Sequence, residues 1–121
     1  MKLLFILLVA CGGRDSTPVQ MDAAIDAGPP TVFDVACAMP AATIITTDPV
    51  FAFQPTSVMI NVGQQVKFTT SSEHDVESNP AGGDAGLFVD FNTTKCLMFT
   101  KAGTFHFHCG PHGFMGSVVV Q

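Results

Sequence analysis

Three side chains within seven residues carry the chemistry this chain can do: Cys109, His112 and Met115, in CGPHGFM. They are a thiolate, an imidazole and a thioether. The two sulfur donors favour Cu(I) and the imidazole accepts either oxidation state, so the set suits copper that moves between its two states.

The elements that must position these residues follow from the flanking sequence. In Thr104–Cys109 (TFHFHC), Phe105, Phe107 and Cys109 alternate with Thr104, His106 and His108. A period of two makes this a strand with both phenylalanines and the cysteine on its inner face. Ser117–Val120 reads as a second strand, and a tight loop joins the two. Pro111 stiffens that loop, and Gly110 and Gly113 permit backbone angles that other residues resist. The loop can then swing His112 and Met115 back toward the Cys109 sulfur. A fourth ligand must come from elsewhere. The chain has four histidines, and if His106 and His108 point outward from their strand, His74 in SSEHDVES is the one left to join. Two histidines and one cysteine in a plane, with a weak axial methionine, form the blue-copper electron-transfer arrangement. Taken singly, each residue has a plain structural reading: a core thiol, a core thioether, a turn histidine, a loop histidine. Their joint spacing favours the metal site.

Several stretches together resemble the cupredoxins, the small blue copper proteins that include plastocyanin, pseudoazurin and amicyanin. They are Phe53-Gln54-Pro55, the run VMINVGQQVKF from Val58 to Phe68, His74-Asp75-Val76, and Cys109-Gly110-Pro111-His112-Gly113-Phe114-Met115. The two residues between His112 and Met115 resemble the short ligand loop of amicyanin more than the longer one of plastocyanin. The resemblance runs over roughly Thr43 to Gln121, about two thirds of the chain. It implies His74, Cys109, His112 and Met115 as ligands of one type 1 copper ion. It also implies an apolar docking patch of Gly110, Pro111, Gly113 and Phe114 around His112, the ligand nearest the surface. At His108 this chain departs from plastocyanin, where a tyrosine lies near a second route for electrons. Asp75 stands where the family commonly has asparagine, so the brace between the ligand loops is either charged or absent. Glu73, Asp75 and Glu77 would make one side acidic and suit a basic redox partner such as a c-type cytochrome.

Composition bounds the rest. A chain of 121 residues allows one domain, and 47% hydrophobic residues with eleven Phe indicate a packed core. A net charge of −5 speaks against nucleic acid as a partner. Seven or eight short strands, about one per turn signal, with no amphipathic helix indicate an all-β Greek-key sandwich. The strands are expected over Thr43–Thr47, Val58–Val62, Val66–Thr70, Leu87–Phe91, Cys96–Thr100, Thr104–Cys109 and Ser117–Val120.

Residues 1–10 (MKLLFILLVA) are one lysine and an apolar run, too short to span a bilayer and readable as a signal segment. Leu8-Val9-Ala10-Cys11 resembles a bacterial lipobox, with Cys11 as the lipidated residue; the alternative is an ordinary secretory signal with an incidental cysteine. The apolar run is short for such a leader, which leaves the true translation start open. Residues 11–34 read as the lipidated cysteine and a Gly/Pro/Ala/Asp-rich tether, and 35–121 as the copper-binding domain. Either leader reading exports the protein to the cell envelope, facing the periplasm or exterior, where disulfides persist. Cys37 and Cys96 are then expected to be bridged, the alternative being a second metal or redox site.

The expected function is a membrane-tethered, monomeric carrier of single electrons between redox proteins, and not an enzyme. Copper delivery or storage is the alternative. A structural β-sandwich with incidental Cys, His and Met is the third.

Overall fold

The computed structural model describes residues 29–80 and 82–121. The expected leader 1–10, the expected lipidation site Cys11 and the stretch read as tether as far as residue 28 lie outside the described residues.

Among the described residues, nine strands form two sheets: β1 (Val32–Val35), β2 (Ala42–Ile45), β3 (Ser57–Ile60), β4 (Gln65–Thr69), β5 (Val76–Ser78), β6 (Phe88–Val89), β7 (Thr94–Phe99), β8 (Gly103–His108) and β9 (Met115–Val120). One sheet has the order β1-β7-β4-β2 and the other β3-β9-β8-β5-β6. The pairs β2–β4 and β3–β9 are parallel and the remaining pairs antiparallel. The fold is an all-β sandwich.

Alternation explains how these sequences become layers. In β4, Val66 and Phe68 are buried between half-buried neighbours, and in β9, Gly116, Val118 and Val120 are buried between more exposed ones. The inward residues of both sheets meet in one core, which includes Phe68 and Phe99 from the four-stranded sheet and Phe107, Val118 and Val120 from the five-stranded one. Phe107 joins the layers, with its ring edge-on to Phe68 at 5.6 Å and to Phe53 at 4.7 Å. Each such side chain contributes about 1.5–3 kcal/mol by leaving water.

Two strands were not expected from sequence. β1 lies almost wholly in the stretch read as tether, yet it pairs with β7 along its length, from Val32↔Phe99 to Val35↔Cys96. Beside it Cys37 and Cys96 form a disulfide. β5 follows directly after His74 and pairs with β6 and β8. The strand expected over Leu87–Phe91 shrinks to Phe88–Val89. β9 starts earlier than expected, at Met115, which bears on the site.

Candidate metal centre

The strand β8 delivers Cys109. Its alternation buries Phe107 and Cys109 completely and leaves His106 exposed. The loop from β8 to β9 then closes on Cys109 from both sides: the Cys109 N–H donates to the Phe114 carbonyl at 2.9 Å, and the Gly113 N–H donates to the Cys109 carbonyl at 2.7 Å. Gly113 adopts φ +77°, which favours glycine and completes the turn. His112 is thereby carried back over the cysteine while staying at the surface. His74 comes from the turn between β4 and β5 and is fully buried.

Three donor atoms meet. His74 Nδ1 and His112 Nδ1 are 3.1 Å apart, and Cys109 Sγ lies 3.6 Å from the first and 3.8 Å from the second. A point equidistant from all three is about 2.0 Å from each, against about 2.0–2.1 Å for metal–imidazole and 2.3 Å for metal–thiolate bonds. One thiol and two imidazoles can therefore hold a metal ion between them, and the donor set fits copper.

The surroundings brace this group. Asp75 is 3% exposed, and its Oδ1 accepts the Gly110 N–H at 2.7 Å, tying the His74 turn to the loop after Cys109. The brace is thus a carboxylate. A Cβ on Gly110 would strike the Glu77 carboxylate, so a side chain there would disturb the same junction. Glu77 itself is pushed up from its ordinary value, first by the hydrogen bond shared with Asp75, then by burial and the Asp75 charge, with His108 opposing. Behind His74, its Nε2 has no hydrogen-bond partner and lies 3.7 Å from Asp48 Oδ1. The Asp48 carboxylate thus faces the far side of the ring without a hydrogen bond to it. Hydrogen bonds from Ser72, then Ser71 and the Glu73 N–H, hold the Asp48 carboxyl below its ordinary range despite partial burial.

Several expectations change. The described side-chain contact of Met115 is with Asn79. As the first residue of β9 it pairs with His108 and takes the outward side of the strand with Ser117 and Val119. Its side chain is 59% exposed, and its Sδ accepts from Asn79 Nδ2 at 3.1 Å. Asp75 adds nothing to an acidic surface, because it is buried. His108 is half-buried, with Nε2 3.7 Å from Glu77 Oε1 and Nδ1 buried without a partner.

Sequence reasoning missed the loop between β2 and β3, which supplies both Asp48 and Phe51. The Phe51 ring stacks on His112 at 4.4 Å and 22°, and meets His74 edge-on at 5.7 Å. No periodicity or spacing links position 51 to position 112. The one available signal is the Asp48-Pro49 pair, which marks a break between strands and says nothing of contact with position 112.

No family model matches the chain. Solved structures similar to it include a reduced Cu(I) form of an amicyanin mutant at pH 4, at 23% identity and a TM-score of 0.60, covering 75% of this chain and 99% of that one. The crystal structure of amicyanin from Paracoccus versutus is similar at 17% identity and a TM-score of 0.59, covering 76% of this chain and 99% of that one. A Cu(I) form of another amicyanin mutant is similar at 25% identity and a TM-score of 0.56, covering 74% and 92%. The strand order, the two-layer core and these neighbours agree: the chain has the cupredoxin fold.

Proposed function

We propose that this protein carries single electrons through one copper ion held by His74 Nδ1, Cys109 Sγ and His112 Nδ1. The observation that carries this reading is the approach of the three donor atoms to within 3.8 Å of one another at the end of a rigid sandwich. The Cu(I) forms among the amicyanin structures of like fold support copper as the metal. Copper bound there supplies a one-electron couple that thiolate and imidazole donors accommodate in both states.

The chain's own residues supply the rest. Burial of His74 and Cys109, with the Asp75 brace between their loops, fixes two donors so that little has to move with the electron. His112 is the exposed edge through which a partner is reached. Gly110, Pro111 and Gly113 are exposed around it, and Phe114 and Phe51 add apolar surface. Glu73 and Glu77 flank this face, so a redox protein with a basic face, such as a c-type cytochrome, is the partner it suits by charge. The protein acts as a monomeric carrier, not an enzyme. The Cys37–Cys96 disulfide fits an oxidising compartment, which supports export to the envelope. Cys11 would tether it there through lipid.

One observation favours copper delivery or storage as a second reading. With Met115 Sδ against Asn79 and His112 at the surface, the group offers three donors, one of them readily reached by a competing ligand. In the carrier reading Met115 remains the candidate axial donor.

The visible spectrum after addition of Cu(II) separates these. The carrier reading expects an intense blue band that disappears in Cys109→Ser. Weak copper absorption with rapid loss of the metal to a chelator would replace it with delivery or storage. No copper uptake would sink both.

A further inference from the structure

We infer that Phe51 is a positioning residue that holds the His112 imidazole with Nδ1 turned toward Cys109 and His74. The inference rests on the copper reading and extends it to a residue outside the ligand loops.

His112 needs an external support. It is exposed, and it lies between Pro111 and a glycine at φ +77°, so its immediate neighbours offer the ring no packing. Its Nδ1 edge faces the other two donors. The next ring of its own loop, Phe114, is parallel to it but 6.5 Å away. Phe51 lies much closer, at 4.4 Å and 22°. Without that stack the imidazole keeps the edge-on His74 ring at 4.9 Å, but nothing among the described residues covers its face, and it can turn toward water about its side-chain torsions. With it, the ring plane is set, and rotation would uncover both rings.

Phe51 is itself held. On one side Val50 N–H donates to the Thr47 carbonyl at 2.7 Å, and Asp48 accepts from Ser71 Oγ at 2.8 Å, Ser72 N–H at 3.1 Å and Glu73 N–H at 3.2 Å. On the other, Gln54 and Ile45 exchange both backbone hydrogen bonds, at 2.9 and 3.0 Å. The loop is thereby fixed to the residues just before His74, so the segment that stacks on one histidine is tied to the turn that carries the other. Edge-on contact of Phe51 with His74 completes the link.

The test uses Phe51→Leu, which keeps an apolar cover without a ring, and Phe51→Tyr, which keeps the ring. In the metal-free protein, the His112 ring protons should be shifted upfield by the Phe51 ring current in wild type and Phe51→Tyr. In Phe51→Leu they should return to ordinary histidine positions, with the melting transition retained. In the copper-loaded protein, transfer of Cu(I) to a chelator should be roughly two- to tenfold faster in Phe51→Leu and unchanged in Phe51→Tyr. Unshifted His112 protons in the wild type would overturn the stack. A lost ring-current shift in Phe51→Leu with unchanged copper transfer would overturn its positioning role. A wild type that takes up no copper would overturn the copper reading and with it the role toward the metal, whereas the His112 signals of the metal-free protein decide the stack separately.

Discussion

Pro111 has no backbone N–H, and it occupies the position two beyond the cysteine, from which an N–H could be aimed at Cys109 Sγ. The Gly110 N–H is engaged with Asp75. A sulfur with fewer donors keeps more electron density, which favours Cu(II). Pro111→Ala is therefore expected to raise the reduction potential by about 20–60 mV, the electrical equivalent of one modest hydrogen bond. Voltammetry on the copper-loaded variant measures it, and an unchanged or lowered potential with an unaltered spectrum would refute the argument. Cys109 and His112 were legible at this scale because they lie close in sequence and one of them ends an alternating strand. Asp48 and Phe51 were not, because they reach the histidines only through the folding of a distant loop. Met115 was legible as a donor type. Its direction was not, since that depends on where β9 begins.

Among the strands, β1 shows best what local pattern hides. Its four residues follow a Gly-Pro-Pro-Thr run and carry one aspartate, so Val32, Phe33 and Val35 make too short a β-forming run to read as a strand until β7 is present to pair with them. Asp84, from the connection between β5 and β6, holds the entry to this strand: its Oδ2 accepts from both the Thr31 N–H and the Thr31 hydroxyl at 2.7 Å. Burial pushes the Asp84 carboxyl up, and the hydrogen bonds from Thr31 and Gly86 outweigh it, leaving it below its ordinary value of 3.8. The folded state therefore binds this proton less readily than the unfolded one. The contribution to stability is complete above the ordinary value and is lost as pH falls below it toward the lowered one. Asp84→Ala should cost about 1–3 kcal/mol near neutral pH, by leaving the Thr31 donors unpaired. Denaturant melts of wild type and variant should differ by that amount at neutral pH and converge in acid. A constant gap across the range would show that the charge of Asp84 is not what ties β1 down. β8, by contrast, was legible to within a residue at each end, because its alternation of aromatic and polar residues is the same in sequence and in space.

Across the whole molecule, the Cys37–Cys96 disulfide closes a separation of 59 residues and fastens the segment after β1 to β7. Replacing both cysteines by serine should cost about 2–4 kcal/mol. The copper band should survive, since Cys96 lies on β7 and Cys109 follows β8, in the opposite sheet. Loss of the band in a variant that still melts cooperatively would mean that the bridge also shapes the site. The two-layer fold was readable from strand density and turn signals, but the partnering of β2 with β4 and of β3 with β9 was not, because parallel pairs join strands far apart in the chain. The bridge and the buried thiol together impose an order on maturation. The described residues include one bonded pair and one free cysteine, so oxidation has three ways to make a single bond and only one leaves Cys109 a thiol. Folding is what sorts them: once the sheets have closed, Cys109 is buried and can no longer exchange with its neighbours. An oxidant that acts on the chain before it folds would spend the thiol the metal needs, so the scaffold that later steadies the donors first serves as the chaperone of their chemistry.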